Sequence, residues 1–415
     1  MTWRRARGII EGMSAVAALQ RDESIARHEG YLRADPGNAA LCVALADLYH
    51  RAGRFDDAHA TLQRCLAEHP GHAIARGRVA AVQISQHRFT DAEHTLVELA
   101  GEAPADAALR HNLGLARYYQ GRWADALEAF GQARALGLAD PSSAAANLAY
   151  LTMSHHHLGD TAAALEVGRQ WASVGGDAAA GYVALVEMDH GDMAAAHRRA
   201  AAVLEREPGN IDAAIVEAMW SAEMQDIDTA KSHFDAVVRA EPDNARGWLG
   251  LGLTNLYEER SGEAIEALQT ATQLMPRHAA TLTTLAWARF VSRNLSAAER
   301  TFRDAIELDR GFAEAHGGLA LTLVYMKRYT EARRESRIAL RLNPGSFGAI
   351  YAKGALMALD GKRPQGEAEI AQALLRPIMS DGRSLTEHVQ IYLRRQIARG
   401  AIGSKAPQPP QQEDR

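Results

Sequence analysis

Residues 39–72 read AALCVALADLYHRAGRFDDAHATLQRCLAEHPGH, and this stretch determines the fold. In its first half Leu45 and Tyr49 share one face of a helix, and in its second half Leu62 and Leu66 do the same. An Ala-Gly-Arg turn separates the two halves, and a Pro-Gly pair closes the stretch. The pattern predicts two helices joined by a turn.

The same unit recurs along the chain. Three units follow one another without a gap over 39–140, and five more do so over 177–346. The small residue of the second half is an alanine in these eight units and in the irregular unit between them: Ala58, Ala92, Ala126, Ala164, Ala196, Ala230, Ala264, Ala298 and Ala332. Because a single helix pair cannot bury its own apolar face, repetition at this period predicts a stack of pairs.

The units divide the chain into segments of different regularity. We expect an N-terminal extension and capping helix at 1–38, units 1–3 at 39–140, an irregular unit 4 at 141–176, units 5–9 at 177–346, a degenerate unit 10 at 347–382, an amphipathic basic helix at 383–400 and a disordered tail at 401–415. The register slips by about four residues near Asp140, which predicts a hinge at 140–145 and 174–177. We expect Pro364 and Gly366 to interrupt the second helix of unit 10.

Composition narrows the class of protein. A net charge of −5 on 415 residues gives no global field that would attract nucleic acid or an anionic membrane. The only cysteines are Cys42 and Cys65, without a CxxC pair, which favours a reducing compartment. We predict no signal peptide and no transmembrane helix, and therefore a cytoplasmic protein. Only five of the 46 basic residues are lysine, which together with abundant alanine suggests a GC-rich bacterial genome.

With the period fixed, the chain resembles the tetratricopeptide repeat family over about residues 39–360. The unit at 245–278 carries the family pattern most completely, at Trp248, Leu251, Gly252, Ala264, Leu268, Ala271 and Pro276. The resemblance implies an all-α fold of about ten repeats. It also implies a right-handed superhelical solenoid of antiparallel helix pairs, in which the first helices line the concave face.

No stretch carries a catalytic pattern, and we predict no enzyme activity, cofactor or metal. Three consecutive residues, His155–His157, point about 100° apart on a helix and cannot share a metal, so they are interpreted as a polar helix end. Gly250 and Gly252 lie mid-helix without a preceding strand, which favours close helix packing over a phosphate loop. The Gly361-Lys362 pair lacks the earlier glycine of a P-loop.

The resemblance also identifies the side chains that would line the concave face. Chaperone-binding relatives carry a carboxylate clamp of Lys, Asn and Arg there, but the corresponding residues here are Val43, Asp47, Arg78, Ala108 and Asn112. The asparagine ladder of sugar-transferring relatives is missing too. The predicted lining is apolar: Leu115, Tyr118, Met153, Leu185, Met188, Ile215, Met219, Leu249, Leu253, Leu256, Trp287, Phe290, Leu321 and Val324.

Three explanations fit such a lining. Its side chains pack against neighbouring helices, or they hold a hydrophobic or helical ligand, or the chain's own helix at 383–400 fills the groove. The leading hypothesis is a non-enzymatic scaffold or chaperone-like protein that binds a peptide or amphipathic helix, with Met219, Leu253, Trp287 and Phe290 as anchors. The alternative is a regulatory or accessory subunit that docks onto a partner enzyme or onto secretion or envelope machinery. Self-association is also open.

Overall fold

In the computed structural model, residues 20–375 are described, and every regular element among them is an α-helix. The helices are α1 (20–34), α2 (Ala39–Arg51), α3 (Phe55–Glu68), α4 (Ala73–Ser85), α5 (Phe89–Glu102), α6 (Ala107–Tyr119), α7 (Trp123–Leu136), α8 (Pro141–His157), α9 (Thr161–Ala172), α10 (Gly176–Asp189), α11 (Met193–Arg206), α12 (Ile211–Glu223), α13 (Ile227–Ala240), α14 (Ala245–Tyr257), α15 (Ser261–Leu274), α16 (Ala279–Val291), α17 (Leu295–Leu308), α18 (Ala313–Tyr325), α19 (Tyr329–Leu342), α20 (Phe347–Leu359) and α21 (Arg363–Leu374). From α2 onward they form consecutive pairs with a first and a second helix. The predicted all-α fold of helix pairs is confirmed.

Several first helices begin at polar capping residues. The side chains of Asn38, Asn210 and Asn244 each accept a hydrogen bond from the backbone N–H three residues further on, at 3.1, 3.0 and 3.0 Å. This contact satisfies a donor that has no partner inside the helix. The sequence therefore specifies where each of these helices begins.

Each pair turns at a residue in the left-handed region of backbone space. The middle residue of the turn has a positive φ in all ten pairs: Gly53, His87, Gly121, Gly159, Gly191, Gln225, Glu259, Arg293, Lys327 and Gly361. Five of the ten are not glycine, with φ between 59° and 62°. A side chain in this conformation costs about 1–2 kcal/mol, so the surrounding helix packing imposes the turn on these five residues.

The core lies between the helices of consecutive pairs. The nine second-helix alanines that define the repeat are fully buried. Rings from second helices press on glycines of first helices: a β-carbon at Gly250 would lie 2.2 Å from the ring of Phe234, and one at Gly318 would lie 2.3 Å from the ring of Phe302. The glycines of α14 are therefore packing residues, as predicted from their mid-helix position.

The described residues form two compact units that divide between Ala179 and Ala180. Inside each unit a second helix packs on the first helix of its own pair and on that of the next pair, as α13 does on α12 and α14. The proposed hinge at 140–145 lies within one unit, where Asp140 caps α8 by accepting a hydrogen bond from the Ser143 N–H at 2.8 Å. The helix α8 has 17 residues, where α6 has 13, so one extra helical turn accommodates the four-residue slip.

One prediction about the last unit is wrong. Pro364 and Gly366 do not interrupt the second helix, because α21 is continuous from Arg363 to Leu374. Pro364 lies in the first turn, where a backbone N–H has no helical partner to lose. Gly366 lies so close to α20 that a β-carbon there would be 2.3 Å from the carbonyl oxygen of Gly354. The predicted helix at 383–400 and tail at 401–415 lie outside the described residues.

Candidate functional site

The first helices of the second unit form one continuous layer. The helices α12, α14, α16 and α18 each contact the next first helix, whereas no two second helices in the described part of the chain contact each other to the same extent. The closest approach is between α18 and α20, where a β-carbon at Gly348 would lie 2.8 Å from the backbone carbon of Gly317. The more closely spaced layer is the inner side of a curved stack, so the first helices present the surface that can enclose a ligand.

The predicted lining residues differ in exposure. Leu185, Ile215 and Leu321 are buried in the core, with 2–6% of their surface exposed, and cannot contact a ligand without rearrangement. The other eleven are half-buried: Leu115, Tyr118, Met153, Met188, Met219, Leu249, Leu253, Leu256, Trp287, Phe290 and Val324. Side chains of this kind contribute to the core and still offer apolar surface.

Trp287 and Phe290 belong to an aromatic cluster that joins the core to the surface. Trp287 lies edge-on to Phe290 at 5.5 Å and to the buried Phe302 at 5.3 Å between ring centroids. Phe290 in turn lies edge-on to Tyr325 at 5.2 Å. The inner ring of this cluster is held by packing, and its outer rings are partly open.

In the first unit the lining is aromatic and partly polar. The Tyr118 hydroxyl lies 3.0 Å from Nε2 of His157, and the Tyr118 ring lies edge-on to Tyr150 at 5.1 Å. Burial, with a smaller contribution from Tyr119, raises the pKa of Tyr118 to about 12, so this hydroxyl stays protonated. His157 also stacks on Trp123 at 4.7 Å, which gives the last of the three consecutive histidines a packing role at the end of α8.

Two of the residues in the clamp positions pair with each other. Nε of Arg78 lies 2.9 Å from Oδ1 of Asp47, so this cation is already neutralised by the neighbouring helix. Among residues 20–375, no group of three or more His, Cys, Asp or Glu side chains is arranged to hold a metal ion. Over the same range, no helix combines the length and apolar character needed to span a bilayer.

One set of surface residues was not predicted from the sequence. Tyr257, Val291, Tyr325 and Leu359 are the last residues of four consecutive first helices, 34 residues apart, and are 38%, 54%, 46% and 57% exposed. We call these four residues the rim ladder. The signal was present in the repeat register, but the family's lining positions do not include the final helical residue.

Comparison with known proteins identifies the family. Models of the tetratricopeptide repeat match residues 15–64, 51–114, 111–183, 222–279 and 283–347. Together these matches cover most of the chain, which therefore belongs to the tetratricopeptide repeat family, a family of proteins that bind protein partners. No curated protein matches the chain significantly in sequence.

Solved structures share the fold. A human IFIT1 dimer with m7Gppp-AAAA is 15% identical, covers 81% of this chain and 90% of its own, and has a TM-score of 0.50. Yeast Tom70 is 14% identical, covers 95% and 96%, and has a TM-score of 0.39. MamA is 25% identical over 38% of this chain and 92% of its own, with a TM-score of 0.32. At 15% identity the likeness to IFIT1 concerns the fold alone.

Proposed function

We propose that the protein is a non-enzymatic scaffold whose second unit binds an apolar peptide or amphipathic helix of a partner protein. One observation carries this proposal: half-buried apolar side chains follow one another along the first helices of that unit, at Met188, Met219, Leu249, Leu253, Leu256, Trp287, Phe290 and Val324. An apolar surface that extends across several repeats is typical of sites that bind a helix along its apolar face.

The chemistry of the lining fits a helical ligand of variable sequence. Methionine adapts its shape to its neighbours, and Trp287 with Phe290 provides rigid area that loses little entropy on binding. The partial burial of these side chains also supports the self-packing explanation, because Trp287 contacts the buried Phe302. We therefore place the main contact at Leu253, which is half-buried on the same layer between Leu249 and Leu256.

The alternative is an accessory subunit that docks onto a partner enzyme through charged edges. A chaperone for hydrophobic segments of other proteins is a narrower version of the leading proposal. Ionic strength separates the two classes, because apolar contacts are nearly insensitive to salt and exposed ion pairs weaken with it. The proposed location is the cytoplasm, on the ground that the chain has two cysteines and no CxxC pair.

A fluorescent probe peptide tests the proposal directly. The probe is an uncharged helical peptide with leucine on one face and glutamine on the other, and its binding is followed by fluorescence anisotropy. Leu253→Asp places a carboxylate in the lining and is expected to reduce affinity at least tenfold. Leu308→Asp is the matched control, since Leu308 is 43% exposed at the end of a second helix, away from the lining.

Circular dichroism of both variants establishes that the fold is retained. Equal probe affinity for Leu253→Asp and Leu308→Asp would refute binding at this lining. If Trp287→Ala lowers the midpoint of unfolding and leaves probe affinity unchanged in the folded protein, self-packing accounts for the aromatic cluster.

A further inference from the structure

The rim ladder is an unusual surface for the end of a helix layer. Its four large apolar residues recur once per pair across α14, α16, α18 and α20, and each is more than one third exposed. Single exposed apolar residues are common, but four in the same position of consecutive pairs form a row along one edge of the helix layer. The row adjoins the proposed lining, because Tyr325 lies edge-on to Phe290 at 5.2 Å.

The charges beside the ladder that lack a partner of opposite sign are predominantly positive. Arg293 lies over the Tyr325 ring at 5.9 Å, and its guanidinium has no carboxylate within ion-pair distance among the described residues. Lys327 and Lys362 are exposed, and within residues 20–375 their side chains make neither an ion pair nor a hydrogen bond. The ladder turns contain three acidic side chains, Glu258, Glu259 and Asp360. Glu258 pairs with Lys231 and Arg260, and Asp360 pairs with Arg333, whereas Glu259 makes no ion pair among the described residues.

Other cations near this edge are already neutralised. Arg328 contacts Glu331 at 2.6 Å and Glu299 at 2.5 Å, and Arg260 contacts Glu258. The first helices end and the second helices begin at this edge, so their opposed dipoles largely cancel. Three unpaired cations, Arg293, Lys327 and Lys362, therefore outnumber the one unpaired carboxylate, Glu259, and leave this edge net positive.

We propose that the rim ladder binds an acidic amphipathic helix of a partner protein. Apolar residues of that helix contact Tyr257, Val291, Tyr325 and Leu359, and its carboxylates pair with Arg293, Lys327 and Lys362. This inference rests on the proposed function, since it extends the same binding surface to its edge. The chain's own segment 383–400 has the wrong charge for this position, with four arginines and one glutamate.

The spacing of the ladder defines the partner further. First helices in direct contact lie about 8–10 Å apart. Seven residues of an α-helix rise about 10.5 Å. A partner helix that lies across the ladder would therefore meet one ladder residue every two turns, and four ladder residues require about 21 residues of helix.

Three probe peptides of the same length test the charge preference. All carry leucine at seven-residue spacing with flanking apolar residues, and their polar faces consist of glutamate, lysine or glutamine. At low salt the acidic probe is expected to bind about tenfold more tightly than the basic probe. In the variant R293Q/K327Q/K362Q the two affinities should agree within about twofold, because no unpaired cation remains beside the ladder.

The apolar half of the proposal is tested separately. The variant V291S/Y325S should weaken the binding of all three probes about tenfold. The control variant L308S/L342S changes a similarly exposed pair at the ends of two second helices, α17 and α19, and should leave probe binding unchanged. Equal binding of the acidic and basic probes to the wild-type protein, or tighter binding of the basic one, would overturn the proposal. A preference for the acidic probe that persists in R293Q/K327Q/K362Q would also overturn the proposal.

The uncharged probe distinguishes this inference from the proposed function. If the uncharged probe binds the wild-type protein but not the Leu253→Asp variant, the lining is a binding site, whatever the result with the two charged probes. If none of the three probes binds, both proposals are wrong.

Discussion

Replacement of Gly250 by alanine tests the helix packing that positions the lining. A β-carbon at Gly250 would lie 2.2 Å from Phe234, which is 1% exposed and packed against Ala218 and Leu251. Alanine favours the helix by about 1 kcal/mol over glycine. Forcing a methyl group into a filled core costs about 1–3 kcal/mol, and this contact is too short for a small shift to relieve. We expect the upper end of that range, and so a net loss of about 2 kcal/mol in the free energy of unfolding.

The assay must report on individual helices, because repeat arrays need not unfold in one step. Native-state hydrogen exchange by mass spectrometry is expected to show faster exchange in peptides from α13, α14 and α15 of Gly250→Ala. Gly131→Ala is the control, because Gly131 lies inside α7 and no atom lies within 4 Å of its β-carbon position. Alanine there should stabilise α7 by about 1 kcal/mol. Protection in α14 equal to or above the wild-type value would refute the close contact of Phe234 with α14.

Further expectations concern the turns, pH and proteolysis. Lys327→Gly should stabilise the protein by about 0.5–1 kcal/mol in urea denaturation, because Lys327 has a φ of 62°, and Gly361→Ala should destabilise it by about 1 kcal/mol. Burial lowers the pKa of His111 to about 4, so the unfolded chain binds the proton first. Stability of the first unit should therefore fall as pH drops from about 6.5 to 4, and His111→Gln should flatten that fall in thermal unfolding. Limited proteolysis should cut at 173–175, where Val174 is 63% exposed, before it cuts inside 211–342; even cleavage along the chain would contradict this.

The fold was predictable because each unit repeats the same local signals. The alanine of each second helix allows close approach, and all nine of these alanines are buried. The second helix of unit 10 was mispredicted because the effect of a proline depends on its place in the helix. At Pro364 the helix has just begun, and the sequence alone does not fix that boundary to within one turn.

The candidate site was less predictable, since exposure depends on how neighbouring pairs pack. Leu321 occupies a lining position of the repeat but is 6% exposed, whereas Tyr325, four residues later, is 46% exposed. Both lie on the same side of α18, but Leu321 is packed in a cluster with Ala352 of α20. Whether the half-buried residues bind a ligand stays a prediction.

The turn conformation has a consequence for how such a protein changes partners during evolution. Glu259, Arg293 and Lys327 occupy left-handed turn positions and are exposed, and equivalent turns elsewhere in the chain have glycine. Because the backbone tolerates several residue types there, a single codon change can reverse the charge beside the ladder without disturbing the core. Binding preference and folding are thus encoded at separate positions, and duplicated copies of the gene could diverge in specificity while they keep the same architecture.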